Sequence, residues 1–385
     1  MKSFKVNFVK KILYKKGVTK SIGEILKNLN INSLLIVTDK GIIDAGILKG
    51  IINSVEKNSI KYEIFSEVIP DPPEELVFKG LDIVKKNNLS AVLGIGGGSS
   101  MDTAKVISLV AKTDVNLDEI YGKVYLKGKR LPLFLIPTTT GTGSEVTQYA
   151  VLTKGDAKCT VISPVILPDI AILDEELVYN LPPKITATTG MDAIVHAIEA
   201  YTSKNKRNVI SNIFAKEALK ILIENIEKAV NEQKNFEAKG NMLLGANIAG
   251  LAFNNAPVAA VHAFAYPLGG IFHISHGLSN SLMLVEVMKF NIDAALEEYY
   301  ELAVYVYPEF QNEIKSKEKV VEKFIERIDE LRKSLNIPIR LSDVGIKEKD
   351  LKKLTDEVVK LTRLFNNNPK PITYEDAFNI YKNVL

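Results

Sequence analysis

The segment Thr189-Gly190-Met191-Asp192-Ala193-Ile194-Val195-His196 places a carboxylate and an imidazole at i and i+4. That spacing is about one helical turn, so both side chains leave one face of a helix, which Thr188 or Thr189 is expected to cap. The other histidines, His262, His273 and His276, lie within a stretch from Gly240 to Val285 that has no Asp, Glu, Lys or Arg. Imidazoles in a charge-free apolar segment need partners for both ring nitrogens, and a metal ion is one such partner. His262 and His276 are the expected third and fourth ligands. Pro267 and Gly269-Gly270 are expected to end one helix between them, and His276-Gly277 to open the next. One carboxylate and three imidazoles suit Fe(II), Zn(II), Ni(II) or Co(II). Catalytic zinc usually keeps three protein ligands and an open position, so a fourth protein ligand leans towards Fe(II), with Zn(II) as the alternative. An Asp/His pair one turn apart is often only a hydrogen bond. Here every histidine of the chain falls between positions 196 and 276, which favours the metal.

A second chemistry is suggested nearer the N-terminus. Ala91 to Lys105 reads AVLGIGGGSSMDTAK, an apolar strand running into closely spaced glycines and a helix start. Gly96, Gly97, Gly98 and Ser99 let the backbone approach a pyrophosphate, and the free amides of a helix N-terminus favour negative charge. The spacing departs from Gly-x-Gly-x-x-Gly, and the acid placed to bind a ribose, Asp39, lies upstream at the end of SLLIVT. Alone, the glycine run reads equally as a tight turn. The hydroxyl-rich loop PTTTGTGS (Pro137 to Ser144) directly after LPLFLI supplies the second half of a nucleotide site, because ligands of open α/β sheets bind beyond the carboxyl ends of strands.

These residues must be positioned by two kinds of architecture. Strands are expected at Ser33–Thr38, Lys61–Phe65, Ala91–Ile95 and Leu131–Ile136, with helices near Ile42–Lys57, Glu74–Asn87 and Met101–Ala111 between them, the pattern of a parallel α/β sheet. Beyond Leu181-Pro182-Pro183 helical periodicity takes over, through Asp192–Tyr201, Val209–Gln233, Phe236–Phe253, Val320–Leu335 and Lys349–Leu364. The expected domains are therefore 1–182, α/β and dinucleotide-binding, and 183–385, all-helical. Asn366-Asn367-Asn368-Pro369 reads as a surface turn.

Composition sets the bounds. With 385 residues, 46% of them hydrophobic, the chain can bury large cores. Lys+Arg number 49 against 46 Asp+Glu, a net +3, which argues against a nucleic-acid surface. The charge-free stretch is interrupted by Asn254-Asn255, Pro257 and Pro267, so buried helix is expected rather than a membrane span. One cysteine, Cys159, allows no internal disulfide. The N-terminus lacks the apolar core of a secretory signal, so the expected address is cytoplasmic.

GGGSSMDTAK (96–105), PTTTGTGSEVT (137–147), AILDEELVYNLPP followed by GMDAIVHAIEAYTS, and HAFAYPLGGIFHISHGLSN together resemble the iron-containing alcohol dehydrogenases, over nearly the whole chain. The resemblance implies the dehydroquinate synthase-like architecture of that family: an α/β dinucleotide domain with a parallel sheet, an all-helical domain, and catalysis in the cleft between them. It carries the metal ligands onto Asp192, His196, His262 and His276. It carries cofactor contacts onto Asp39, Gly97, Gly98, Ser99, Asp102, Thr138, Thr139, Thr142, Thr147 and Lys158, and implies a homodimer or larger homo-oligomer. The chain has Tyr266 where many members have a second His four residues after the third ligand, and Ser275-His276-Gly277 where Pro-His-Gly is common.

The implied reaction is reversible hydride transfer between a primary alcohol or diol, or the aldehyde in reverse, and NAD. Asp39 predicts NAD over NADP, because a 2′-phosphate beside a carboxylate is repelled. His273, Tyr266 and the cofactor ribose hydroxyl are the candidates for passing the proton. Rival readings are a glycerol dehydrogenase-like enzyme, a dehydroquinate synthase-like lyase, for which the basic residues a phosphorylated substrate needs are missing from 240–285, and a nucleotide sensor without catalysis.

Overall fold

The computed structural model describes residues 3–155 and 157–385. They form two compact units, Asn7–Asn180 and Leu181–Leu385, the latter including the N-terminal residues up to Val6.

The first unit is built on strands β1 (Ile12–Tyr14), β2 (Ser33–Asp39), β3 (Lys61–Val68), β4 (Val92–Gly96), β5 (Leu133–Pro137), β6 (Tyr149–Lys154), β7 (Ala157–Ile162) and β8 (Ile170–Leu173). Six of them make one sheet in the order β1-β8-β5-β4-β2-β3, every pairing parallel, while β6 and β7 form a separate antiparallel hairpin. The central strands are short and apolar throughout because both faces are covered. Alternate residues feed two cores. Leu35, Val37, Val92, Leu133 and Leu135 enter one; Leu34, Ile36, Leu93, Ile95, Phe134 and Ile136 enter the other. Helices α1 (Ile22–Asn28), α2 (Lys40–Asp44), α3 (Leu48–Lys57), α4 (Glu75–Asn87), α5 (Gly98–Val110) and α6 (Leu117–Ile120) complete the unit. The single helix expected over Ile42–Lys57 is broken into α2 and α3 by Gly46, whose φ of 71° is a left-handed conformation that ends a helix. Strands β1 and β8 and the hairpin were not expected from the sequence.

The second unit contains no described strand. Its helices include α7 (Pro183–Thr202), α8 (Val209–Asn231), α9 (Phe236–Asn255), α10 (Ala260–Phe272) and α11 (His276–Val306). Three expectations are corrected. Helix α7 starts at Pro183, favoured at a first helical position, so Thr188 and Thr189 sit inside it and return their hydroxyls to the carbonyls of Lys184 and Ile185. Pro267 and Gly269-Gly270 do not end α10. It runs to Phe272 and stops at His273 in the left-handed region (φ 55°), where the amides of His273 and Ile274 close onto the carbonyls of Gly269 and Leu268. The expected surface turn at Asn366–Asn368 is partly buried: Asn368 and Asn291 exchange reciprocal amide hydrogen bonds of 2.7 and 2.9 Å. The charge-free stretch is mostly buried. No single described helix is long and apolar enough to cross a membrane, and α9 and α10, which pass such a test only together, are bent by 107°.

Gly94 sets how closely α5 lies on the sheet. A Cβ there would stand 2.7 Å from Ala104 Cβ and 2.8 Å from Leu135 Cδ2. Gly94→Ala should therefore cost about 1–3 kcal/mol through overpacking, read as a lower urea midpoint of the folded chain; an unchanged midpoint would contradict this account of the β4–α5 contact.

Candidate functional site

The residues singled out from the sequence gather in two places, one in each unit. In the α/β unit, the carboxyl ends of β2, β4 and β5 are neighbours, and Gly96 pairs in register with Pro137. The loops that follow therefore lie side by side. The amide of Thr138 donates to the carbonyl of Gly96 at 3.0 Å, a Cβ on Gly97 would lie 3.7 Å from Thr139 Cγ2, and one on Gly98 would lie 3.1 Å from Thr142 Cγ2. Gly96 has φ 145°, open only to glycine, and its missing Cβ leaves room for Asp39 Oδ2 at 3.2 Å and Ser100 Oγ at 2.7 Å. Gly97, Gly98 and Ser99 are half-buried at the N-terminus of α5, where unpaired backbone amides favour an anion. Thr139 Oγ1 is buried without a hydrogen-bond partner. A glycine-lined helix start flanked by an unsatisfied hydroxyl fits a dinucleotide's phosphates.

Asp39 closes one side. Its Oδ1 accepts from the amide of Ile42, capping α2, and its Oδ2 accepts from Ser100 Oγ at 3.2 Å. Asp102 and Thr147 are placed differently. Asp102 Oδ1 accepts from Ser144 Oγ at 2.6 Å, its Oδ2 accepts from the amide of Val151 at 2.8 Å, and the buried Lys105 Nζ lies 3.3 Å from Oδ1. Lys105 also donates to Ser144 Oγ, Thr147 Oγ1 and the carbonyl of Tyr149. Burial holds the Lys105 ammonium below its usual pKa against the opposing charges of Asp102 and Glu145. This network fastens α5 to the threonine-rich loop and β6. Lys158, on β7, is paired with Asp71 at 2.8 Å. Lys105 was missed as a functional residue, although a lysine inside an otherwise apolar helix was the available signal.

In the helical unit, Asp192 and His196 come from α7, His262 from α10 and His276 from the first turn of α11. Their donor atoms all lie within 4.8 Å of one another. Asp192 Oδ1 stands 3.9, 4.0 and 3.6 Å from Nε2 of His196, His262 and His276. Four ligands bound at about 2.1 Å in a tetrahedron stand about 3.4 Å apart, so the cluster has to contract to close on an ion, its three Asp192 contacts by a few tenths of an ångström each. Asp192, His196 and His262 are at most 4% exposed. Burial pushes the Asp192 carboxyl up, but the three imidazoles and Asn280 outweigh it and hold it below its ordinary value.

Two residues missed in the sequence complete the cluster. Glu199 Oε2 lies 2.7 Å from His262 Nδ1. A carboxylate only accepts, so Nδ1 carries the proton and the lone pair is on Nε2, towards the other donors. Asn280 Nδ2 faces Asp192 Oδ1 at 2.6 Å and the Nε2 atoms of His262 and His276 at 3.2 Å each. One amide nitrogen has two protons for these three acceptors, a deficit a cation removes. Their signals were a carboxylate one turn beyond His196 and an amide one turn beyond His276. Gly277 allows the close approach that brings His276 in, since a Cβ there would stand 2.3 Å from the carbonyl oxygen of Thr188. The His196 ring stacks on Phe253, centroids 4.3 Å apart. Of the two proton-carrier candidates, Tyr266 stands beside the cluster, its ring centroid 6.2 Å from that of His276, while His273 is exposed at the end of α10.

Comparison with known proteins gives a consistent set of likenesses. The family model described as iron-containing alcohol dehydrogenase matches residues 9–175, and that described as Fe-containing alcohol dehydrogenase family, C-terminal, matches residues 186–385. The chain is 34% identical over 372 residues to the NAD-dependent methanol dehydrogenase of Bacillus methanolicus, covering 96% of this chain and 97% of that protein. It is 34% identical over 362 residues to long-chain-alcohol dehydrogenase 1 of Geobacillus thermodenitrificans, covering 93% and 90%. Among solved structures, a 1,3-propanediol oxidoreductase matches with a TM-score of 0.95 at 30% identity over the whole of both chains.

The network around Lys105 has a consequence measurable without any cofactor. Asp102→Asn should destabilise the ligand-free protein by about 3 kcal/mol in urea unfolding, because it removes the hydrogen-bonded one of the two charges that oppose a buried ammonium. Stability equal to that of the parent chain would instead assign Asp102 to ligand contact alone.

Proposed function

Because the chain belongs to the iron-containing alcohol dehydrogenase family, whose enzymes are oxidoreductases acting on CH–OH donors, we propose that it moves hydride reversibly between a primary alcohol or diol and NAD, with Fe(II), or alternatively Zn(II), held by Asp192, His196, His262 and His276. The observation that carries the reading is the convergence of four donor atoms from three helices, one of them an imidazole whose tautomer is set by a buried carboxylate. A divalent ion bound there supplies Lewis-acid chemistry, lowering the pKa of an alcohol hydroxyl and polarising an aldehyde carbonyl. Methanol and 1,3-propanediol, in the relatives' names, both carry the hydroxyl on a terminal carbon. That supports the primary carbinol as the substrate class.

The chain's own groups have separable tasks. Asp192 contributes the negative charge of the ligand set, and Asn280 Nδ2 donates to its Oδ1. In the α/β unit, the amides opening α5 and the loop carrying Thr138, Thr139 and Thr142 receive the pyrophosphate. Asp39, held by Ser100 and the Ile42 amide, accepts from a ribose 2′-hydroxyl and repels a 2′-phosphate, which supports NAD over NADP. Tyr266, with its ring near His276, takes precedence over His273 as the group that passes a proton to water. Lys158 belongs with the cofactor contacts by resemblance alone, and Asp102 and Thr147 act by holding the threonine-rich loop in place.

The test is anaerobic purification, metal analysis, and NADH oxidation against a panel of aldehydes. About one iron or zinc per chain is expected, with turnover of aldehydes that reduce to primary alcohols. In His262→Ala both bound metal and kcat should fall, kcat by about a thousandfold or more. Metal-replete protein that binds NADH and reduces none of the panel would replace this reading with the sensor. Asp39→Gly should raise kcat/KM for NADP at least about tenfold while costing only a few tenths of a kcal/mol at the α2 cap; no gain would remove Asp39 from cofactor choice.

A further inference from the structure

Glu199 lies on α7 seven positions beyond Asp192 and three beyond His196, and is 3% exposed. From Met191 to Thr202 that helix carries two acids and no Lys or Arg. A buried carboxylate so placed needs strong partners. Glu199 finds them in one short segment: Oε1 accepts from the amide of Val261 at 2.6 Å, and Oε2 accepts from the amide of Ala259 at 3.0 Å and from His262 Nδ1 at 2.7 Å. Helix α10 has no cap from its own flanking side chain. Glu199 supplies one from a different helix while gripping the imidazole one turn inside.

We propose that Glu199 is a positioning residue of the metal centre. It locks His262 in the tautomer whose Nε2 lone pair faces Asp192, sets the ring plane through the α9–α10 turn, and adds a second negative charge that, with Asp192, balances a divalent ion. The inference rests on the metal reading above. An acceptor opposite the distal N–H of a ligating imidazole orients the ring and raises its basicity, and its removal commonly weakens metal binding 10- to 100-fold. A cap alone would need only the two backbone amides. The third contact, to the imidazole, has no part in capping and carries the assignment.

Glu199→Gln keeps the volume and replaces one acceptor oxygen with an NH2 that opposes N–H groups. Metal-stripped wild-type and variant chains are titrated with Zn(II) calorimetrically and with Co(II) in the visible. Expected is a 10- to 100-fold rise in the variant's Zn(II) Kd and an altered Co(II) band, which a residue serving only the fold would not produce in protein that melts like wild type. Equal affinity with an identical Co(II) spectrum overturns the role of Glu199 and leaves the metal site standing. A wild-type chain that takes up neither ion overturns the site and the inference together. Should the variant not fold, the wild type decides: in Zn(II)-loaded, 15N-histidine-labelled protein, the imidazole assigned to His262 must carry its proton on Nδ1 with Nε2 on the metal. Its absence defeats the proposal whatever the variant does.

Discussion

Inside the helical unit, four side chains present lone pairs to one another across less than 5 Å of apolar interior, with two amide protons from Asn280 to share among the nearest three acceptors. Such a cluster is costly unless a cation occupies it, because buried acceptors facing each other have lost water and share too few donors. The surrounding architecture supports it. Gly277 allows α11 to touch the backbone of α7, Phe253 stacks against His196, and Glu199 ties the start of α10 to the same face of α7 that carries Asp192 and His196. The lack of Lys and Arg from 240 to 285 follows from the same constraint, since a mobile ammonium in that segment could neutralise the carboxylates and compete with a metal.

The α/β unit answers a different requirement, that of holding loose, glycine-rich backbone still. Burial of the sheet on both faces aligns the strand ends, and the loops after β4 and β5 inherit that alignment. Glycines alone would leave the loops mobile. The buried Lys105, bonded to Asp102, Ser144, Thr147 and the Tyr149 carbonyl, fixes the second loop to the helix that opens from the first. Asp39 is likewise held from two sides, so its carboxylate is oriented by the fold itself. Rigid support behind a flexible backbone is the condition for recognising a ligand without ordering the loop at each binding event.

How much could be read in advance depended on the range of the interaction concerned. Apolar strands with alternating inward faces, and the i, i+4 pair on α7, are local patterns and were legible. The ends of α7 and α10 were misplaced because a proline at a first helical position and a left-handed His273 outweigh the Thr and Gly signals nearby. Strand β1 is three residues long and shows no alternation strong enough to find it. The Asn triplet read as a surface turn because amides usually seek water, yet Asn368 and Asn291 satisfy each other in the interior.

By itself, the sequence determined which chemistries were available: an acid and an imidazole one helical turn apart, further imidazoles in an uncharged stretch, glycines and hydroxyls after apolar strands, and an acid at the end of β2. Those follow from residue type and short spacing, which survive in any fold of the right class. Tertiary structure alone decided which lone pairs converge, since positions 192, 262 and 276 lie on separate helices, and the missing Cβ at Gly277 lets α11 reach α7. It also decided that Glu199 and Asn280 belong to the cluster and that Asp102 turns towards Lys105, because side-chain direction in a packed interior is fixed by neighbours distant in the chain.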